Sequence, residues 1–238
     1  MNRWQKTVFA VIMVQLLSIL ILFHLLTDNY RALGIAKYAV ISSIFIASFF
    51  QKRPTREHIL LFSAILFLWV GDFFLILAGT LPGVSPNDLW VKIGGMIGFF
   101  IAYFSLIFAY NRNVTFGAKD LMAMIPVLLV VVPVFFILTP HTQGLMTLWA
   151  LVFTFFLSYM AWSAICTVHR GYYKRKYAIR FAIAGYLMFL SDMGVGFSFF
   201  YPGLHRNMPW LGTEIWLTYI PAWTLILINL SENKLRRE

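Results

Sequence analysis

Four ionisable side chains stand inside long apolar runs of this chain: Lys37, Asp72, Asp192 and Glu214. In hydrocarbon, a charge at mid-depth costs about 2.5–3.5 kcal/mol even on a lenient insertion scale, so each needs a partner or a task. One bland task is structural, with Lys37 pairing Asp72 or Asp192 to hold helices together. A single ammonium cannot neutralise three carboxylates, however. The surplus acid in a low-dielectric layer predicts at least one carboxyl that stays protonated near neutral pH. Two carboxyl groups in different protonation states are what acid–base chemistry requires.

The two aspartates have similar surroundings, Leu68-Trp-Val-Gly-Asp-Phe-Phe and Met188-Phe-Leu-Ser-Asp-Met-Gly. In each, a small residue (Gly71 or Ser191) precedes the aspartate. Small residues let helices approach closely, which is expected to bring the carboxylates toward each other.

The elements that must position these groups are membrane spans. The chain has 238 residues, 61% hydrophobic and only 12% charged, against about 25% charged in a soluble domain. Spans of about 20 residues are expected near 8–26, 33–50, 59–78, 91–110, 121–138, 145–167, 178–200 and 210–230. Breakers separate them, among them Arg53-Pro54, Leu81-Pro82-Gly83, Thr139-Pro140 and Tyr201-Pro202-Gly203. Pro126, Pro133 and Pro221 fall inside spans, which membrane helices tolerate. The basic start, Met1-Asn-Arg-Trp-Gln-Lys, is followed by an apolar run to Leu26 without a cleavage site and reads as a retained first span.

Alternating spans put fifteen Lys and Arg on one side and only Arg31, Lys92 and Arg206 on the other. That asymmetry predicts both termini in the cytoplasm. The expected fold is an all-α integral membrane protein, a single polytopic domain of eight transmembrane helices. The aspartates, each in the third span of its half, suggest two parallel four-helix repeats. Counting depth at about 1.5 Å per residue puts all four ionisable residues in one layer, slightly toward the non-cytoplasmic side. The net charge of +10 lies in short loops and is explained by orientation, so no nucleic-acid partner is expected. The run from His169 to Tyr177 (His-Arg-Gly-Tyr-Tyr-Lys-Arg-Lys-Tyr) reads as a topology anchor with interfacial tyrosines, or else as a holder of anionic head groups.

At these residues the chain resembles the YhhN-like family of membrane lysoplasmalogenases over essentially its whole length. The marks are Lys37, Gly71-Asp72 with Leu75, Gly95 with Phe99, Trp162, Ser191-Asp192 and Thr218-Tyr219. The resemblance implies an eight-helix bundle that hydrolyses the vinyl ether bond of lysoplasmalogens. Its products would be a fatty aldehyde and a glycerophospho-ethanolamine or -choline. Asp72 and Asp192 would be catalytic, with Lys37, Tyr103, Trp162, Ser191, Glu214 and Tyr219 around substrate or behind the catalytic pair. The family usually carries a His four residues after the fourth-span Phe and a Tyr three further on, where this chain has Tyr103 and Leu106. If that His handles protons or head groups, this chain's specificity or activity is altered.

The expected partners are a lysophospholipid and the bilayer itself, with no protein partner, and the expected location is the inner membrane if the source is bacterial. No cofactor is expected. No metal site is expected either, because His24, His58, His141, His169 and His205 fall at helix ends or in loops and Cys166 is the single cysteine. The rival classes are a proton-coupled transporter, a zinc-dependent membrane amidase and a non-catalytic lipid-binding relative.

Overall fold

The computed structural model describes residues 2–25, 29–85, 88–114, 116–142, 144–201 and 211–237. Leu26, Pro202, Gly203, His205, Arg206 and Trp210, named above, lie outside them, as does the side chain of His24. The described residues form eight long helices: α1 (Arg3–Leu25), α2 (Tyr30–Phe49), α3 (Arg56–Asp72), α4 (Leu89–Tyr110), α5 (Ala118–Leu138), α6 (Leu145–Arg170), α7 (Arg175–Phe200) and α8 (Leu211–Leu230). There is no strand among them, only an isolated bridge between Tyr173 and Arg236. Seven of the helices are long and apolar enough to cross a membrane, the mark of a multi-pass membrane protein. α8 has the length, with 20 residues, but Thr213, Glu214, Thr218, Pro221 and Asn229 dilute its apolar content.

Several helices begin before their apolar runs, at Arg3, Arg56, Ala118 and Arg175. Charged first turns stay helical where they can meet water or head groups. Pro126 and Pro133 sit within α5 and Pro221 within α8, as expected.

The chain divides into two compact units, Met1–Leu106 with Ile226–Asn233, and Ile107–Leu225 with Lys234–Glu238. In the first, Ile41 and Ile44 of α2 and Leu61, Ile65 and Leu68 of α3 are fully buried. Trp69 stacks on Phe45 at 4.6 Å and donates its indole N–H to Ser42 Oγ at 3.0 Å, which satisfies the indole. Asn2 and Gln5 cap α1 reciprocally, at 2.8 and 3.0 Å. The Gln5 amide also donates to Ser231 Oγ and Glu232 Oε1. His58, fully buried, bridges Thr55 Oγ1 and the Glu232 carbonyl, each at 2.7 Å. The end of α8 is thereby tied to the starts of α1 and α3.

In the second unit α6 packs along α7, where Gly185 leaves room for Ala164 and Thr167 Oγ1 donates to the Ala178 carbonyl at 3.1 Å. The start of α5 is held by a buried polar network. Arg170 reaches Asp120 Oδ1 through Nε at 3.0 Å and a second guanidinium nitrogen at 2.9 Å. It also donates to Asn111 Oδ1 at 2.8 Å, and its guanidinium lies 5.3 Å from the Trp162 ring centre. Trp162 Nε1 donates to the Asp120 carbonyl at 2.8 Å. Arg170 therefore turns inward, 7% exposed, and of the tyrosines expected as interfacial anchors in the same run Tyr173 and Tyr177 are buried too. The rest of that loop pairs with the chain's tail, Lys174 N–H to the Leu235 carbonyl and Arg237 N–H to the Tyr172 carbonyl.

Breaking a buried ion pair from one side strands the other charge. Asp120→Leu alone is expected to cost about 3–5 kcal/mol of unfolding free energy, and adding Arg170→Met to recover most of it. Reversible unfolding in mixed micelles measures both. With Arg170→Met alone completing the cycle, a double variant that loses the sum of the two single losses would mean that the pair has no energetic coupling.

Candidate functional site

Asp72 is the last α-helical residue of α3, and the chain then widens into one π-helical segment, Phe73–Leu77, before a short 3-10 turn, Ala78–Thr80. Bulges of this kind occur often at functional sites. Four glycines make room for it within the first unit. A Cβ on Gly98 would stand 2.7 Å from both Cα and N of Gly71, so α3 and α4 touch backbone to backbone one residue before Asp72. Gly94 and Gly95 accommodate Phe74 and Leu75 of the π segment, and Gly34 of α2 faces Thr80 and Ile76. Gly71, Leu75, Gly95 and Phe99 thus form one packing contact. The close approach made by Gly71 is to α4.

Asp72 is 2% exposed. Tyr38 of α2, 8% exposed, is near enough to interact electrostatically with it and packs edge-on against Phe73, with ring centres 6.1 Å apart. Lys37 precedes Tyr38 and is half-buried. Tyr103 is buried beside Phe99, with ring centres 6.0 Å apart. Tyr38 was missed at the level of sequence, although a tyrosine in mid-span is far from the interface where tyrosines usually anchor.

The second unit carries the other aspartate. Asp192 is 8% exposed on α7, behind the fully buried Ser191. Ser191 Oγ donates to the Ile215 carbonyl at 3.2 Å. A Cβ on Gly194 would meet Glu214 Oε2 at 2.7 Å and Ile215 Cγ1 at 2.8 Å. The residues flanking Asp192 therefore hold the Glu214–Ile215 turn of α8, bringing two carboxyl-bearing segments together. The spacing of α7 and α8 in sequence gave no sign of this, since it depends on how the helices turn against each other.

Tyr219, 4% exposed, continues an aromatic file from Trp216 to Trp223, and the Thr218 hydroxyl donates to the Glu214 carbonyl at 2.9 Å. Trp162 is placed elsewhere, committed to Asp120 and Arg170. Those two residues, at the ends of apolar runs, are about as buried as Asp72 and Asp192, whereas Lys37 and Glu214 are half-buried.

The sequence pattern of the YhhN family matches residues 5–230, nearly the whole chain. The chain belongs to the YhhN family. No curated protein and no solved structure matches it significantly. In this YhhN protein the marks on which the resemblance rests, Lys37 aside, fall into three groups: the glycine contact around Asp72, the Ser191–Asp192 contact with α8, which carries Thr218 and Tyr219, and Trp162 in the Asp120 network.

If the Gly71–Gly98 contact positions Asp72, the smallest added side chain disturbs it. Gly98→Ala is expected to destabilise the protein by about 1–3 kcal/mol. Gly117→Ala, with nothing within 4 Å of its Cβ, is the neutral control. Thermal unfolding in detergent separates the two, and an unchanged Gly98→Ala would refute the contact.

Proposed function

We propose that this YhhN-family protein is a lysoplasmalogenase-like hydrolase, cleaving the vinyl ether bond of lysoplasmenyl-ethanolamine or -choline. The observation that carries the reading is a pair of buried aspartates, Asp72 and Asp192, one in each compact unit, each behind a small residue packed tightly against a neighbouring helix. In this reading α8 also spans the membrane, giving one polytopic domain of eight spans in two parallel halves. Both termini are cytoplasmic, and the protein resides in the cell membrane.

The chemistry suits carboxyl groups. A protonated carboxyl delivers its proton to the alkene carbon beyond the ether-bearing carbon, and the electron pair of the double bond forms the new C–H bond. The resulting oxocarbenium ion is stabilised by the ionised partner carboxylate, which takes a proton from the attacking water. The hemiacetal then collapses to a fatty aldehyde and glycerophospho-ethanolamine or -choline. One of Asp72 and Asp192 is the acid and the other the ionised partner, a division analogous to that of glycosidases. The mechanism requires the acid to hold its proton until the alkene is in place. Lys37 meets the phosphate or sets the protonation balance, and Tyr103, Ser191, Glu214 and Tyr219 shape the surroundings. The reaction draws on no cofactor, and its partners are the lysophospholipid and the bilayer.

Aldehyde release from a lysoplasmenyl lipid by purified wild type, Asp72→Asn and Asp192→Asn tests the assignment. General acid–base groups contribute about 10²–10⁴-fold; each variant is expected to lose at least about a hundredfold while remaining folded. Glu214→Gln, altered next to Asp192 and not in the catalytic pair, is expected to lose less. Robust release by either aspartate variant would sink the two-carboxylate mechanism. No release by wild type, together with substrate-dependent proton uptake into vesicles, would favour a transporter.

A further inference from the structure

The proposed vinyl ether chemistry makes no use of a second chemical cluster, at the junction of α5 and α6. A carboxylate oxygen of Asp120, Cys166 Sγ and a ring nitrogen of His169 lie within 4.8 Å of one another. Cys166 and His169 are three residues apart on α6 and so share a face, and Asp120 reaches them from the first turn of α5. We propose that these three side chains form a divalent transition-metal site of the zinc type, with three protein ligands and one open position.

The geometry supports three bonds to one ion. His169 Nε2 stands 3.3 Å from Asp120 Oδ1. Two ligands bonded at about 2.0–2.1 Å to a tetrahedral centre are separated by about that distance. Nitrogen, oxygen and thiolate donors together suit zinc better than magnesium or calcium, which take oxygen alone. Two of the three ligands are firmly held. Asp120 is 2% exposed, with its backbone carbonyl fixed by Trp162 and its carboxylate by Arg170. Cys166 is fully buried.

Arg170 fixes the Asp120 carboxylate through Oδ1, the oxygen that also faces His169, so the ion shares that oxygen with the guanidinium. Its positive charge opposes the ion, but Asp120 and the Cys166 thiolate supply two negative charges against it. The His169 ring, 22% exposed, lines a groove of about 380 Å³ with Lys119 and Met122, while its Nε2 is buried on the Asp120 side. The groove is the side from which water or an external donor would reach the open position. Binding is a proton exchange: the ion takes the lone pairs of Cys166 Sγ and His169 Nε2 while the thiol proton, and any proton on that nitrogen, leave to solvent. The pattern was invisible in sequence because the ligands come from two helices and their spacing fits no metal motif.

Cobalt is the probe, because a cobalt–thiolate bond shows a sulfur-to-metal charge-transfer band and four-coordinate cobalt has intense visible bands. Untagged full-length protein in detergent, treated with a chelator and then titrated with Co²⁺, is expected to bind one ion with both signatures and to release it to Zn²⁺. Cys166→Ala should abolish the sulfur band, and His169→Gln should weaken binding by more than about tenfold. Both leave the Asp120–Arg170 pair intact, so loss of fold does not explain the result. Absence of the sulfur band in folded wild type, its persistence in Cys166→Ala, or unchanged affinity in His169→Gln would overturn the proposal.

Discussion

The contact between Gly71 and Gly98 is a place where two helices meet with no side chain between them. Helices in lipid are not driven together by the hydrophobic effect, since the lipid is as apolar as the core, so close backbone packing is a principal source of attraction. Here that packing fixes α3 against α4 immediately before Asp72, and Gly94 and Gly95 extend it along the π-helical turn that follows. The place of Asp72 at the end of α3 follows directly on that contact. In the proposed mechanism, a carboxyl held by rigid backbone requires no ordering at the moment of reaction.

The same economy governs the other polar groups. Apolar surroundings make an unpaired polar atom costly, and several polar side chains of the described structure have local partners. The Trp69 indole finds Ser42, His58 finds both Thr55 and the end of α8, and Arg170 finds Asp120 and Asn111. Several of these partners also fasten helix ends, so the network that satisfies polarity also fixes how those helices begin and end. The residues around Asp192 follow a related rule, because Ser191 and Gly194 both press on α8 and carry Glu214 to the neighbourhood of the aspartate.

Much of this was legible in the chain. Long apolar runs gave the helices, and charges within the runs pointed to Asp72, Asp192, Lys37 and Glu214, because a charge in hydrocarbon stands out against its neighbours. Helix starts were read late, since charged first turns such as Arg56-Glu57-His58 break the hydropathy signal without breaking the helix. The Asp120–Arg170 pair escaped because both residues lie at run ends, where charges are ordinary, and fifty positions separate them. Tyr38 and the π-helical turn depend on how α2, α3 and α4 interlock, and no local pattern encodes that.

The central claim is that a protein carboxyl protonates the alkene carbon of a vinyl ether. Hydrolysis by the purified protein in D₂O, with the aldehyde trapped as it forms, tests that step directly. The account predicts one deuterium on the carbon next to the aldehyde, and turnover slower than in H₂O. Aldehyde released without deuterium at that carbon would contradict it, because the bond would then have been cleaved by a route in which no acid delivers a proton to the alkene.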